Sequence, residues 1–311
     1  MGTTRVLRDA REALHDGGLR GSFLVRDLDT GDELAIDAEV EYPIASLVKV
    51  PLALATLERA GRGELDLATA IVVQPGRVTT PGPTGLTRFR HPATVAIEDL
   101  LYLSTAISDG AAADALFSLT PPAMVTAELR RLGHDGIVVR HLMDDLTQTP
   151  AERFAPTETH LAHSLAIAAA TAGQGHPVPQ LDISRANVGS ARAFVDLLQG
   201  LWRPTTIPTA TAVRVRELMR NNVIRHRLAP DFSSDASRWS SKTGTLLNLR
   251  HEVGVVEHAD GQAFAVAALT ESRVPAELQP EAEALMAQVA RTLRDQLRMS
   301  RTNPRNGHYS A

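Results

Sequence analysis

The chain opens on a helical pattern: in residues 5–15 (RVLRDAREALH) apolar side chains recur every three to four positions and share one face. Gly21 to Leu28 (GSFLVRDL) then reads as a strand, Asp29-Thr30-Gly31-Asp32 as a tight turn, and residues 33–37 as the hairpin partner. From Ser46 to about Ala60 the spacing is helical again, stopped by Gly61 and Gly63. Residues 75–92, rich in Pro, Gly and Thr, predict an ordered loop over a surface. Helices are expected at 97–107, 110–118 and 121–132, the last opening on a Pro pair suited to a first turn. Between 141 and 181 the prolines 150, 156, 177 and 179 interrupt the pattern, and good helix formers run only from Thr157 to Ala172. Helices resume at about 185–202 and 210–223. Three strand-like runs follow at 239–246, 251–257 and 263–269, the last two joined by an Asp260-Gly261 turn. A helix from about 276 to 297 closes the pattern, and the polar end, 300–311, is expected to fray.

Strands from both chain ends imply one five-stranded antiparallel sheet flanked by the N- and C-terminal helices. This is an α+β fold, an α/β sandwich with a helical domain inserted between strands two and three. The expected division is an α/β lobe of residues 1–60 and 205–299 and an inserted all-α lobe of 61–204. The seam between them is the natural place for a pocket.

Composition narrows the function. A 43% apolar content supports a substantial core, and a net charge of −4 leaves no positive field to hold nucleic acid. No apolar run reaches the roughly 18 residues of a membrane span. The first 18 residues lack the apolar stretch of an export signal, so the cytosol is the expected compartment. With no cysteine, disulfides, iron–sulfur clusters and thiolate chemistry are excluded. Only two of the 32 basic residues are lysine, Lys49 and Lys242. A buried lysine can give up its proton and act as a base, which arginine practically cannot. Neither lysine sits in a phosphate-binding loop, and Gly173-Gln174-Gly175-His176-Pro177-Val178 lacks the preceding strand of a dinucleotide site.

Lys49 follows Ser46 by three positions, so on a helix the two side chains share a face and the amine can activate the hydroxyl. Lys242-Thr243-Gly244 combines a cation, a hydroxyl and a residue that lets a ligand approach the backbone, at the edge of an expected strand. Between them Ser108-Asp109-Gly110 ends a helix, where Ser108 could relay a proton.

In that order, Ser46-Leu47-Val48-Lys49, Ser108-Asp109-Gly110 and Lys242-Thr243-Gly244 resemble the motif set of class A β-lactamases and penicillin-binding proteins. The resemblance runs from the first strand to the closing helix. It implies that Ser46 attacks a lactam carbonyl, that Lys49 helps deprotonate it and that Ser108 protonates the leaving nitrogen. It further implies that Lys242 and Thr243 hold the substrate carboxylate beside Gly244, and that the N–H groups of Ser46 and Thr245 form the oxyanion hole. Arg225, in Arg225-His226-Arg227, is similar to an arginine segment that helps bind that carboxylate, with Arg250 as its rival. Two departures stand out. Gly110 lacks the amide of the usual Ser-Asp-Asn. The usual Glu-x-x-Leu-Asn, which carries the deacylating glutamate, is closest to Glu158-Thr159-His160-Leu161-Ala162, with Glu152 a weaker candidate. In the same resemblance, residues 141–182 form a long, atypical omega-type loop closed by Asp182.

No cofactor or metal is expected; His160 and His163 share a face with Glu158 but do not form His-Glu-x-x-His. The expected partner is a small β-lactam or related carboxylate-bearing amide or ester, acted on by a monomer. Three readings stay open: a β-lactamase working through a Ser46 acyl-enzyme, an intracellular esterase, amidase or accessory enzyme of antibiotic biosynthesis, and a β-lactam sensor that acylates and stays acylated. Family members usually work outside the cytosol, whereas this sequence shows no export signal.

Overall fold

The computed structural model describes residues 2–76, 84–169 and 175–302. The chain begins with α1 (Thr3–Asp16), β1 (Leu19–Asp27), β2 (Glu33–Ile36) and β3 (Glu41–Pro43), then a 3-10 turn (Ala45–Val48) that runs into α2 (Lys49–Gly61). The middle holds β4 (Ala70–Val73), β5 (Ala93–Ala96), α3 (Ile97–Ala106), α4 (Gly110–Leu119), α5 (Pro122–Arg131) and β6 (Ile137–Val138). It continues through α6 (Thr159–Ile167), β7 (Val188–Ser190), α7 (Ala191–Trp202), α8 (Thr209–Arg220) and the single turn α9 (Ala229–Phe232). The chain returns as β8 (Ser237–Leu246), β9 (Leu249–His258), β10 (Ala263–Ser272) and α10 (Pro280–Thr302).

The main sheet is antiparallel throughout, in the order β2-β1-β10-β9-β8. Every residue of β10 is buried, so this strand is covered on both faces and reads from Ala263 to Leu269 as an unbroken apolar run rather than an alternating one. On one face Phe23, Val25, Phe264 and Val266 pack with Met286, Ala290 and Leu293 of α10 and Leu14 of α1. On the other, Leu24, Val253, Val255 and Ala265 join the core of the helical middle, including Leu198 of α7. α2 is the central helix of that middle and is buried at every position from Lys49 to Glu58. Ser46 therefore stands at the mouth of an element that cannot shift without disturbing the core.

Several details differ from the sequence expectation. The segment 61–204 is not all helix: β4 pairs with β5, and β7 lies between β3 and β6. These strands are two to four residues long, too short for a two-residue period to show. The helix expected over 157–172 is confined to Thr159–Ile167, and residues 170–174 fall outside the described ones. Of the loop expected over 75–92, residues 77–83 fall outside the described ones, while Gly85–Arg88 forms a 3-10 turn. α10 runs to Thr302, and the rest of the tail expected to fray lies beyond the described residues.

Candidate active site

Ser46 is raised into the space between sheet and helices by a left-handed residue before it, Ala45 at φ 47°. A non-glycine residue holds that conformation at a cost of about 1–3 kcal/mol, only where its surroundings impose it. Here the preceding segment is tied down on two sides. Ile44 N donates to Asn187 O (2.9 Å), and His251 Nε2 donates to Pro43 O (3.0 Å). The other ring nitrogen of His251 accepts from Thr270 N (3.1 Å), and burial pushes its pKa down to about 3, so the imidazole is neutral. Gly244 lets β8 lie against the same segment: a Cβ there would stand 2.8 Å from Ile44 O.

Lys49, the first residue of α2, lies 3.2 Å from Ser46 Oγ. Its amine donates to Ser108 O (2.6 Å) and also reaches Ser108 Oγ (3.3 Å). Lys242 donates to the same Ser108 Oγ (2.9 Å) and to Thr243 O (2.8 Å). Both amines are buried. Desolvation lowers the pKa of Lys49 to about 8 against the opposing pull of Asp109 and Asp114. Lys242 is held well below the usual lysine range by burial, then by Lys49 and Arg227 nearby, with Glu252 opposing. Four residues from three distant stretches of sequence thus form one connected hydrogen-bond network.

Ser108 is also left-handed, at φ 62°, because Asp109 behind it is fixed. The fully buried Asp109 carboxylate caps α4 through Ala111 N (3.0 Å) and accepts from Leu86 N (2.5 Å) and Thr87 Oγ1 (2.6 Å). Gly110 is not a steric necessity: a Cβ there would meet nothing closer than Thr87 Oγ1 at 3.6 Å and Met143 Cβ at 3.8 Å.

The arginines are distributed differently from expectation. Arg225 is exposed and turned away, donating to Ser233 Oγ and Trp239 O. Arg250 is buried against the carbonyls of Leu247, Leu249 and Glu277, where burial pulls its pKa down to about 10. Neither bonds to the Ser46 cluster. Arg227, two residues on, is the one that reaches the site: it donates to Gly244 O and His251 O (2.9 Å each) and to the exposed Thr245 Oγ1 (2.6 Å). Glu283 fixes it through Nε (2.9 Å). Burial works against the charge of Glu283, but its contacts with His226 and Arg227 prevail and pull its pKa down to about 2.

Glu158 is not gathered in. It is exposed at the start of α6, and among the described residues no hydrogen bond or ion pair joins it, or any other carboxylate, to Ser46, Lys49, Ser108 or Lys242. Asp182 braces the end of its loop through Gly175 N (3.0 Å) and Ser184 N (2.9 Å). The start of that loop has an anchor the sequence did not suggest. Asp114 accepts from Met143 N (2.6 Å) and Asp144 N (2.8 Å), with burial raising its pKa to about 6. Among the described residues no group of three His, Asp or Glu could hold a metal ion, and no helix is long and apolar enough to cross a membrane.

The model of the β-lactamase enzyme family matches residues 6–297. The chain belongs to that family. Within this β-lactamase family it is 65% identical over 309 residues to the "Beta-lactamase regulatory protein BlaB" of Streptomyces cacaoi, covering 96% of this chain and 99% of that one. Among solved structures, the β-lactamase-family fold extends to PBP-A, with a TM-score of 0.74 at 17% identity over 95% of this chain and 97% of that one. It extends also to a β-lactamase from Chitinophaga pinensis, with a TM-score of 0.72 at 19% identity over 94% and 99% of the two chains.

Proposed function

We propose that the chain opens β-lactam amides, or carboxylate-bearing amides of similar shape, by acylation of Ser46, and that it releases the acyl group slowly enough for the acylated protein to act as a signal. In this mechanism neutral Lys49 takes the Ser46 proton as Oγ bonds to the carbonyl carbon. The N–H groups of Ser46 and Thr245 receive the oxyanion. As the C–N bond breaks, Ser108 Oγ gives its proton to the leaving nitrogen and recovers one from the lysine pair it contacts. Lys242 and Thr243 hold the substrate carboxylate, with Arg227 adding positive charge through Thr245. Release of the acyl group then needs an activated water.

The observation that carries this reading is the Ser46–Lys49–Ser108–Lys242 network, joined by contacts of 2.6–3.3 Å and without a bonded carboxylate among the described residues. It is arranged for acylation, and among the described residues no carboxylate is hydrogen-bonded to it to act as the base for hydrolysis. A relative 65% identical that is named as regulatory fits a protein whose acylated form matters more than its turnover. A second reading, full β-lactamase turnover, draws on Asp114, which secures the backbone of Met143 and Asp144 near Gly110 and so keeps an acid close to the cluster.

Intact mass followed over time after mixing with a penicillin and a cephalosporin separates the two. The proposal expects an adduct that forms in the wild type, is absent in Ser46→Ala and persists. An adduct that clears while substrate is consumed in excess of protein establishes turnover instead. Glu158→Gln and Asp144→Asn would then show which acid activates the water. No adduct with either drug overturns both readings.

A further inference from the structure

Glu252 lies fully buried in the middle of β9, paired with Thr243 on the strand that carries Lys242-Thr243-Gly244. Among the described residues no ion pair joins it to an arginine, lysine or histidine. Its two carboxylate oxygens are taken by neutral donors instead: Oε1 accepts from the indole Nε1 of Trp239 (2.8 Å) and Oε2 from Leu228 N (2.8 Å). A carboxylate removed from water this completely is destabilising unless its oxygens are bonded, and an apolar side chain would fill the same space at less cost. Its partners point to what it does. Leu228 lies at the entrance to α9, where an N–H has no acceptor within the turn. That N–H belongs to the peptide leaving Arg227, so the bond fixes Arg227 on its backbone side, while Glu283 grips the guanidinium at Nε (2.9 Å). Between these two anchors Arg227 reaches Gly244 O and His251 O (2.9 Å each) and Thr245 Oγ1 (2.6 Å). Arg225, two residues earlier, is exposed. The charge of Glu252 also favours a protonated Lys242, against burial and the nearby Lys49 and Arg227.

We propose that Glu252 is a positioning residue for substrate recognition: through the backbone of Leu228 it holds Arg227 against Thr245, on the side of the site that receives the substrate carboxylate. This assignment rests on the Ser46 acylation proposed above. A guanidinium is planar and directs its donors in a fixed fork, so where it is held decides what it can bind. Among the described residues no hydrogen bond joins Glu252 to Ser46, Lys49 or Ser108. Its loss should therefore alter recognition of the carboxylate and leave the acyl-transfer chemistry in place.

The first readout is the ratio of Ser46 acylation rate constants for benzylpenicillin and for its methyl ester, which lacks the free carboxylate. Glu252→Met, apolar and of similar length, should lower that ratio about tenfold, the loss of one charged hydrogen bond, as should Arg227→Gln. The double variant should stay near tenfold and not reach about a hundredfold, because both changes remove the same contact. Trp239→Phe, which keeps the bond to Leu228, should stay within about twofold of the wild type. An unchanged ratio in Glu252→Met, additive losses in the double variant, or an equal fall in Trp239→Phe overturns the proposal. Hydrogen exchange followed by NMR decides it without any acylation. In the wild type the Leu228 N–H should exchange as slowly as the amides of β9; exchange at the rate of an open turn overturns the proposal, even where Glu252→Met fails to fold. In Glu252→Met the Arg227 Nε–H, identified by its loss in Arg227→Gln, should exchange about tenfold faster than in the wild type, and an unchanged rate overturns the proposal. A wild type that forms no adduct with either compound counts against the Ser46 chemistry alone, and the exchange rates still decide the role of Glu252.

Discussion

Lys49 is the residue whose removal tests the most of this reasoning. It is completely buried, and desolvation takes its pKa from 10.5 to about 8. For a lysine with a depressed folded-state value, the unfolded chain holds more protons than the folded one between those two values. Folding stability therefore rises with pH across that window. Two and a half units correspond to a penalty of about 3 kcal/mol on the folded state at neutral pH, absent in Lys49→Met. The variant also strands Ser108 O, which loses its 2.6 Å donor at a cost of about 1–3 kcal/mol. The two effects nearly cancel at neutral pH, so the stability of Lys49→Met there decides little. The pH dependence decides. From about pH 7.5 to about pH 9.5 the wild type should gain about 2 kcal/mol relative to the variant, read as a widening gap in urea midpoints. Over the same range the rate of Ser46 acylation in the wild type should rise and level off above about pH 8, as neutral Lys49 accumulates, and Lys49→Met should be slower by about 10²–10⁴. A stability gap that stays constant with pH, together with a flat acylation profile, would refute a neutral Lys49 as the base.

Arg227→Gln should weaken capture of carboxylate-bearing substrates about tenfold, raising KM more than it lowers kcat, while Arg225→Gln should stay within about twofold of the wild type in the same acylation assay. Gly85→Ala should lower stability by about 2–3 kcal/mol in thermal melts, since residue 85 has φ +69° and its Cβ would fall 2.4 Å from Asp109 Oδ2. An unchanged melt would mean that Asp109 does not depend on this turn. Gly110→Asn, whose Cβ would make only ordinary contacts with Thr87 and Met143, should keep stability within about 1 kcal/mol and alter acyl-transfer rates through the added amide; a large loss of stability would contradict the geometry at that position.

What the sequence made legible, and what it hid, divides along physical lines. The two lysines stood out because a chain that otherwise uses arginine has no need of lysine unless a proton must move, and both prove to be buried at Ser108. The long strands and helices were readable because their core faces repeat along the sequence. β4 to β7 were not, because a strand of two to four residues takes its conformation from its partner and not from its own pattern. Arg227 was hidden for a similar reason. It shares a three-residue segment with Arg225, and only the packing of β8 on β9 buries one guanidinium and leaves the other in solvent.

The deacylating acid is the hardest case, and its difficulty says something about the site. Helix and strand periods position Ser46, Lys49 and Lys242, but the described residues between 141 and 182 are held by scattered side-chain bonds to the backbone. Asp114 holds the start of this stretch from 29 residues before Met143, a bond with no local signature, whereas Asp182 at the end accepts locally from Ser184 N and from Gly175 N. A glutamate in that stretch could match the expected motif and still be delivered elsewhere, as Glu158 is at the exposed start of α6. In the proposed mechanism acylation rests on the rigid part of the fold, the buried α2 and the β8 edge, whereas release of the acyl group depends on this loop. Evolution can therefore change how long the acyl group stays without disturbing how it arrives, by moving a few side chains between Asp114 and Asp182. Under the proposed function, separating the two steps in this way is what lets the acylated chain persist as a signal.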